Sequence, residues 1–298
     1  MDWARAHYRR VLICDGSTLD ALIRKVGLLK ELDRHPLAGR ISARLDGLSR
    51  LPVWIGYTED AEAHDQQFWD DIPGRVSAGM LLIFDLGYTN FARFAQMTGA
   101  GITFVTRAKD NLAYDVAKVI LCSAAVHDRV VWIGAAHAGT RQQVRLVEVL
   151  YRGKWYRYLS NELDAQRLPA EVLAGLYRQR WRIEDAFGTV KSLPGLSYFF
   201  CGADNAVQVQ VSATWILYAV LVDVTDAVAE ALARPFADIS MEMVYRALYH
   251  YVRAAQQNEA QDLIAFLVAE HKLLGLVKRK KPVKPKSRPH PLTDDEDA

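Results

Sequence analysis

Apolar residues recur along this chain in two textures. Through the first third they come as short unbroken runs, each closed by a turn signal. Residues 9–14 end in Val11-Leu12-Ile13-Cys14 and stop at Asp15-Gly16-Ser17-Thr18; residues 80–84 form a second such run, closed by Asp85. Residues 39–48, 51–58 and 102–107 complete a set of five predicted strands. Runs without polar alternation indicate strands covered on both faces. Helical spacing occupies residues 61–69 and 90–97, with a break at Pro73-Gly74, so this part reads as alternating α and β. From 109 to about 163 the runs shorten. Residues 130–133, 144–151 and 155–159 predict strands, the last two joined by a hairpin turn at Arg152-Gly153-Lys154. Pro169 then opens a helix expected to reach Ser192, where Leu193-Pro194-Gly195 ends it. Further helices are expected at 205–233, 240–256 and 260–275.

The expected divisions are therefore residues 1–108, the first part of an α/β domain; 109–165, a β-rich insertion; 166–276, a long helix followed by C-terminal helices; and 277–298, a disordered tail that is Lys/Pro-rich and then acidic. The apolar stretch near 209–222 falls short of the ~20 residues needed to span a bilayer and reads as a buried helix. The first residues contain no apolar signal-peptide core.

Composition narrows the picture. At 298 residues the chain suits one large domain with an insertion, or two domains. Net charge is only +2. Setting aside the seven basic residues of 278–288 and the acids Asp294, Asp295, Glu296 and Asp297 leaves 30 basic against 31 acidic residues, so any basic surface must be local. Cys14, Cys122 and Cys201 are odd in number and widely spaced, which disfavours a disulfide scaffold or a structural zinc site and fits a reducing cytoplasm.

The most informative segment runs from Tyr177 to Lys191. At about 100° per residue, with Tyr177 at zero, Arg180 falls near −60°, Glu184 near −20° and Lys191 near −40°. Leu176, Ile183, Phe187 and Val190 form an adjacent apolar stripe that can seat the helix on a core. Arg180 and Glu184 could be a mere surface i,i+4 pair, worth ~0.3–0.5 kcal/mol. A polar stripe beside the buried one also suits a helix at the rim of an active site.

The spacing Y-x2-R-x3-E-x6-K resembles the Tyr-Arg-Glu-Lys signature of bacterial insertion-sequence transposases of the DDE class, the cut-and-paste group. Trp181, Ile183 and Phe187 are similar to the residues that group places there. Asp15 in Asp-Gly-Ser-Thr resembles the first-aspartate motif, Asp85 in Asp-Leu-Gly-Tyr the second, and residues 104–109 the strand that follows it. Each aspartate alone is most simply a strand-end turn residue; it is their order, ahead of the helix, that carries the resemblance.

The resemblance implies a ribonuclease-H-like mixed sheet flanked by helices, with a β-rich insertion before the last catalytic helix and a helical C-terminal part. It also implies catalysis by Asp15, Asp85 and Glu184. Neighbouring first and fourth strands, about 4.8 Å apart, would bring the two aspartates together at the sheet's carboxyl edge. Three carboxylates so close need cations, and an all-oxygen set favours Mg²⁺ or Mn²⁺, two ions, over zinc. Such ions would assist in-line displacement at phosphorus, giving strand cleavage and strand transfer on double-stranded DNA. Tyr177, Arg180 and Lys191 would hold the DNA backbone, and Trp155 would stack on a flipped base, an interaction worth ~1–3 kcal/mol. Trp181 is expected to be packing. Further expectations are a homodimer on DNA, a bacterial cytoplasmic, nucleoid-associated location and no membrane partner.

Only fourteen residues precede Asp15, so the family's N-terminal repeat-binding region is not expected in this chain. Two rivals stand beside the enzyme: a truncated or inactive remnant that at most binds DNA or a partner, and a hydrolase with paired carboxylates, such as a glycosidase, which would leave Arg180 and Lys191 unexplained.

Overall fold

A computed structural model describes residues 2–19, 39–58, 76–192 and 204–279. The expected helix at 61–69, the breaks at Pro73-Gly74 and Leu193-Pro194-Gly195, Cys201 and the tail from 280 lie outside those residues. The chain divides into two compact units, Met1–Asp223 and Val224–Ala298.

In the first unit a short helix, α1 (Asp2–His7), precedes β1 (Arg10–Thr18), β2 (Arg40–Asp46), β3 (Pro52–Thr58), β4 (Met80–Phe84), α2 (Phe91–Gly99) and β5 (Thr103–Arg107). Then come β6 (Asp115–Cys122), β7 (Val126–Ile133), β8 (Gln142–Tyr151) and β9 (Lys154–Ser160). All nine strands join one sheet in the order β3-β2-β1-β4-β5-β9-β8-β7-β6. β1, β4 and β5 run parallel; the other pairings are antiparallel. The sheet is therefore mixed and flanked by helices, in keeping with the ribonuclease-H-like expectation. The later strands extend it, since β9 pairs directly with β5.

Residues on alternate positions of a strand face opposite sides of the sheet. Leu12, Cys14, Leu82, Phe84 and Phe104 bury on one side with Phe94 and Met97 of α2. The Phe94 and Phe104 rings stack at 4.4 Å there. Val11, Leu81, Ile83, Val105, Val147 and Tyr158 bury on the other, beneath α3 (Ala170–Arg178). Neither side reaches water, which is why these strands show no polar alternation.

Three local expectations need correction. Cys14 is not the end of the first strand: β1 runs on through Asp15 to Thr18, because Asp15, Gly16, Ser17 and Thr18 pair with Ala43, Ser42, Ile41 and Arg40 of β2. β6 was not anticipated; its apolar residues are interspersed with Asp115 and Lys118, and Val116, Val119 and Leu121 are exposed at the sheet edge. The single helix expected from 169 to 192 is two, α3 and α4 (Trp181–Ser192). Between them the amides of Arg180, Arg182 and Ile183 donate to carbonyls three residues back, at 3.0 Å, in place of the four-residue bonds of an α-helix.

The hairpin of β8 and β9 closes on Arg152 and Gly153, both at positive φ, the geometry that a two-residue turn of matching twist requires. α5 (Asp204–Ala231) matches the helix expected at 205–233, but the expectation that its apolar part is too short to span a bilayer needs correction: over 205–231 it is long and apolar enough to cross a membrane by length and composition, with 44% of its most apolar window buried in the protein. Within the first unit its Trp215 meets the Phe187 ring edge-on at 5.7 Å.

The second unit contains α6 (Met241–Gln256), capped by Ser240, and α7 (Leu263–Ala269), capped by Asp262. The helix expected over 260–275 is helical only to Ala269; turns follow to Gly275. Val244, Ala247 and Leu267 are buried in this unit, and an isolated bridge joins Ile239 to Val277.

Candidate active site

The pairing of β1 with β4 matches Cys14 to Phe84, so the next residue on each strand is an aspartate. Asp15 keeps the alternation of Val11 and Ile13. Asp85 follows Leu81 and Ile83 in extended backbone, at φ −80° and ψ 171°. Both thus face the side of the sheet that α3 covers. After Asp85 the chain turns through a 3-10 helix, Leu86–Tyr88, and the Asp85 carboxylate makes no capping bond to it, so its oxygens serve other partners. Buried Tyr88, the last residue of that motif, sits 3.2 Å from the Ser42 hydroxyl, which in turn donates to the Asp15 carbonyl at 3.3 Å.

The α3–α4 corner delivers the remaining groups. Arg180 Nη1 donates to Asp15 Oδ2 at 2.6 Å, and Nη2 donates to Glu184 Oε1 at 2.6 Å. Its Nε lies 3.9 Å from Asp85 Oδ1 and makes no hydrogen bond. One guanidinium therefore gathers all three predicted acids. Tyr177 donates its hydroxyl to Asp85 Oδ1 at 2.8 Å, and the Gly16 amide donates to Asp15 Oδ1 at 2.8 Å. Lys191 donates to Ser17 Oγ at 2.8 Å and to the Thr18 carbonyl at 2.6 Å, fastening α4 to the end of β1. The broken helix spoils the single-helix wheel between Tyr177 and Glu184, yet all four signature side chains still reach the carboxyl end of β1 and β4.

Electrostatics follow from this crowding. Burial alone would favour the neutral form of Arg180, but Asp15, Tyr177, Asp85 and Glu184 more than offset it, so its pKa rises and the guanidinium stays charged. Burial, then the Asp85 charge and hydrogen bond, push the Tyr177 phenol far above its ordinary value, so it remains a donor. Three carboxylates thus lie within ion-pair distance of one guanidinium. Arg180 and Asp15 side chains are 9% and 13% exposed, whereas Asp85 and Glu184 are 39% and 37% exposed, so the site opens on the side of the latter pair.

A divalent cation suits this donor set: the oxygens are hard, and among the described residues no thiol or imidazole joins them. Among the described residues no three acidic, histidine or cysteine side chains are drawn together as an ion cage, since these carboxylates converge on Arg180.

The family model described as a transposase DDE domain matches residues 35–219, more than half of the chain. The chain belongs to the DDE transposase family. The match takes in Asp85 and Glu184 of the transposase domain, while Asp15 lies ahead of it and is tied to them by Arg180. A protein named as a transposase in Sinorhizobium fredii (strain NBRC 101917 / NGR234) is 29% identical over 171 residues, 54% of this chain and 47% of that protein. Another, named as a transposase for insertion sequence element IS5377 in Geobacillus stearothermophilus, is 28% identical over 152 residues, 49% of this chain and 40% of that protein. These matches span less than half the length of either relative.

The remaining predicted contact, Trp155, is elsewhere. It opens β9, is 39% exposed and stacks on His127 at 4.5 Å. By alternation it faces away from the side on which Tyr158 meets the Tyr177 ring at 5.2 Å. Trp181 is not the packing residue expected: its ring is 59% exposed, and the Arg180 guanidinium lies 5.5 Å from its centroid. Ser17, Thr18 and Arg107 were missed. The first two follow Asp15 in its motif; burial raises the pKa of both Tyr158 and Tyr177, and Arg107, at the end of β5, offsets part of that rise.

Proposed function

We propose that this transposase domain cuts and rejoins DNA at transposon ends by metal-dependent phosphodiester hydrolysis and strand transfer, as a member of the cut-and-paste group with the Tyr-Arg-Glu-Lys signature. One observation carries the reading: acids from β1, the end of β4 and α4, separated by up to 169 positions in sequence, share one guanidinium. Asp15, Asp85 and Glu184 would hold Mg²⁺ or Mn²⁺, two ions. When bound, such ions supply activation of the attacking oxygen and neutralisation of the leaving one.

The chain's own groups prepare the reaction. The Gly16 amide fixes one oxygen of Asp15 and the Tyr177 hydroxyl fixes one of Asp85, which limits the directions in which these carboxylates can act. Arg180 and Lys191 bring positive charge to the edge where a DNA phosphate must approach, and Tyr177 lies beside the same path. Trp155, stacked on His127 and facing away from Tyr177, is given no part in this path. Water breaks one P–O bond at a transposon end and leaves a 3′-hydroxyl. That hydroxyl attacks the opposite strand, exchanging one phosphodiester for another and closing a hairpin; a second water opens the hairpin and restores the 3′-hydroxyl, which then attacks target DNA in a further exchange. No enzyme-linked intermediate is required. Two copies acting on two ends complete the proposed assembly.

The test is cleavage of end-labelled duplexes taken from the DNA on either side of the gene, with Mg²⁺ or Mn²⁺, against Glu184→Gln. Ion-dependent nicking by the native chain and none by the variant supports the reading. Equal cleavage by both would overturn it, and DNA binding without cleavage would mark an inactive remnant.

A further inference from the structure

The first five turns of α5, which belong to the first unit, are apolar on two opposite sides. At about 100° per residue, Val207, Val211, Trp215, Tyr218 and Val222 share one side, and all are buried. There the Trp215 ring meets Phe187 of α4, and the Tyr218 hydroxyl donates to the Arg50 carbonyl at 3.3 Å. Val209, Ala213, Ile216 and Val220 fall within ~60° of one another on the other side. That side meets water: Val209 and Ile216 are each 67% exposed and Val220 is 50% exposed. A helix that is apolar all round belongs in an interior, and a contiguous exposed apolar strip marks a surface that something covers.

The composition of α5 selects the cover. Residues 204–231 contain no lysine or arginine, while Asp204, Asp223, Asp226 and Glu230 make the helix acidic. Such a helix repels the phosphates of nucleic acid, and a helix that lies on a membrane surface needs basic residues on its polar face. Positions 209, 213, 216 and 220 follow one another in steps of four, three and four, the spacing of the core positions of a coiled coil, which a second helix fills. We propose that this strip is a self-association surface, on which α5 pairs antiparallel with α5 of a second copy about a twofold axis between residues 214 and 215. Val209 then lies against Val220 of the second copy and Ala213 against Ile216, a small side chain opposite a large one. The strip is complementary to itself, as a contact between identical surfaces requires. Parallel pairing would set the two Asp223 carboxylates side by side; antiparallel pairing holds them ~25 Å apart at 1.5 Å per residue. The inference goes beyond the DNA chemistry proposed above and needs neither ions nor DNA. Because Trp215 packs on Phe187 of the helix that carries Glu184, the contact joins two candidate sites through their α4 helices.

The measurement is sedimentation equilibrium of the full chain without DNA over a wide range of concentration, and a reversible dimer is expected. Ile216→Glu should weaken that dimer by ~30-fold or more, the loss typical of a central interface anchor, with an unchanged circular dichroism spectrum because the position is exposed in a single copy. Val119→Glu, on the exposed strand β6, should leave the dimer intact. Orientation is read by crosslinking: with Cys122 and Cys201 replaced by serine, Val209→Cys and Val220→Cys together should join two chains under mild oxidation, and Val220→Cys alone should not. If Ile216→Glu fails to fold, crosslinking of the chain with both cysteines decides, and absence of a linked dimer overturns the proposal. A monomer at every concentration, or a dimer that Ile216→Glu leaves unweakened, overturns it as well. Linking through Val220→Cys alone would refute the antiparallel arrangement. Flotation of the chain with phosphatidylcholine vesicles, lost in Ile216→Glu, would assign the strip to lipid instead.

Discussion

Two buried arginines in the sheet unit meet acids in opposite ways. Arg145 on β8 is fully buried and sends Nε and Nη2 to the two oxygens of Asp128 on β7, at 2.7 and 2.5 Å. Its Nη1 donates to the Leu168 carbonyl at 2.5 Å, which secures the segment leading into α3. One charge meets one charge and its donors find acceptors. Arg180 is only slightly less buried, yet faces three acids, splits its fork and leaves Nε without a partner. The first arrangement fixes neighbouring strands. The second shares one guanidinium among acids from three separate segments. Burial is nearly the same in both, so burial does not separate the two arrangements; the division of the donors and the unsatisfied Nε do.

That contrast can be tested in descending order of effect. Glu184→Gln or Asp85→Asn should cut ion-dependent DNA cleavage by ~10³-fold or more, since the ions contribute several kcal/mol to the barrier. Thermal melting should show either variant folded, because neutralising one acid relieves crowding around Arg180. Loss of fold in these variants would make the site as structural as Arg145.

Arg145→Met should destabilise the chain by ~3–5 kcal/mol in urea unfolding, because Asp128 is left charged and buried. The double variant Arg145→Met, Asp128→Leu should recover most of that loss. An Arg145→Met chain as stable as wild type would mean that water reaches Asp128. Arg180→Gln should cost less than Arg145→Met, because Asp85 and Glu184 can turn to solvent. An equal cost would erase the distinction between the two arginines.

The smallest effect concerns Tyr177. Its folded pKa lies above the unfolded value of about 10, so its contribution to stability is fully present below that pH and is lost as pH rises past it. Tyr177→Phe should therefore flatten the fall in stability above about pH 10, measured by denaturant unfolding, with little change at pH 7. An unaltered alkaline slope would mean that the hydroxyl is not held by Asp85.

How much of this was legible in the sequence depends on range. Unbroken apolar runs at 11–14 and 80–84 marked two strands that the structure pairs and covers, because a strand without a wet face needs no polar alternation. Aspartates at 15 and 85 and the Tyr-Arg-Glu-Lys spacing were equally visible. The break between Arg178 and Trp181 was not: residues 177–182 contain neither glycine nor proline, so nothing local stops the helix. What accompanies the corner is tertiary, with Arg180 reaching Asp15 across 165 positions and Arg182 donating to the Gly47 carbonyl. β6 escaped notice although six of its eight residues are apolar, because only its pairing with β7 makes it an exposed edge strand of the sheet.

By itself, then, the sequence determined the order of strands and helices and the residue types that transposase chemistry calls for, since both depend on short-range patterns of polarity. The folded chain decided that β1 runs on past Asp15, that nine strands share one sheet, and that a single guanidinium occupies the centre of three carboxylates. Those outcomes depend on pairing between distant segments and on charges meeting in space, and neither is written in the spacing along a chain.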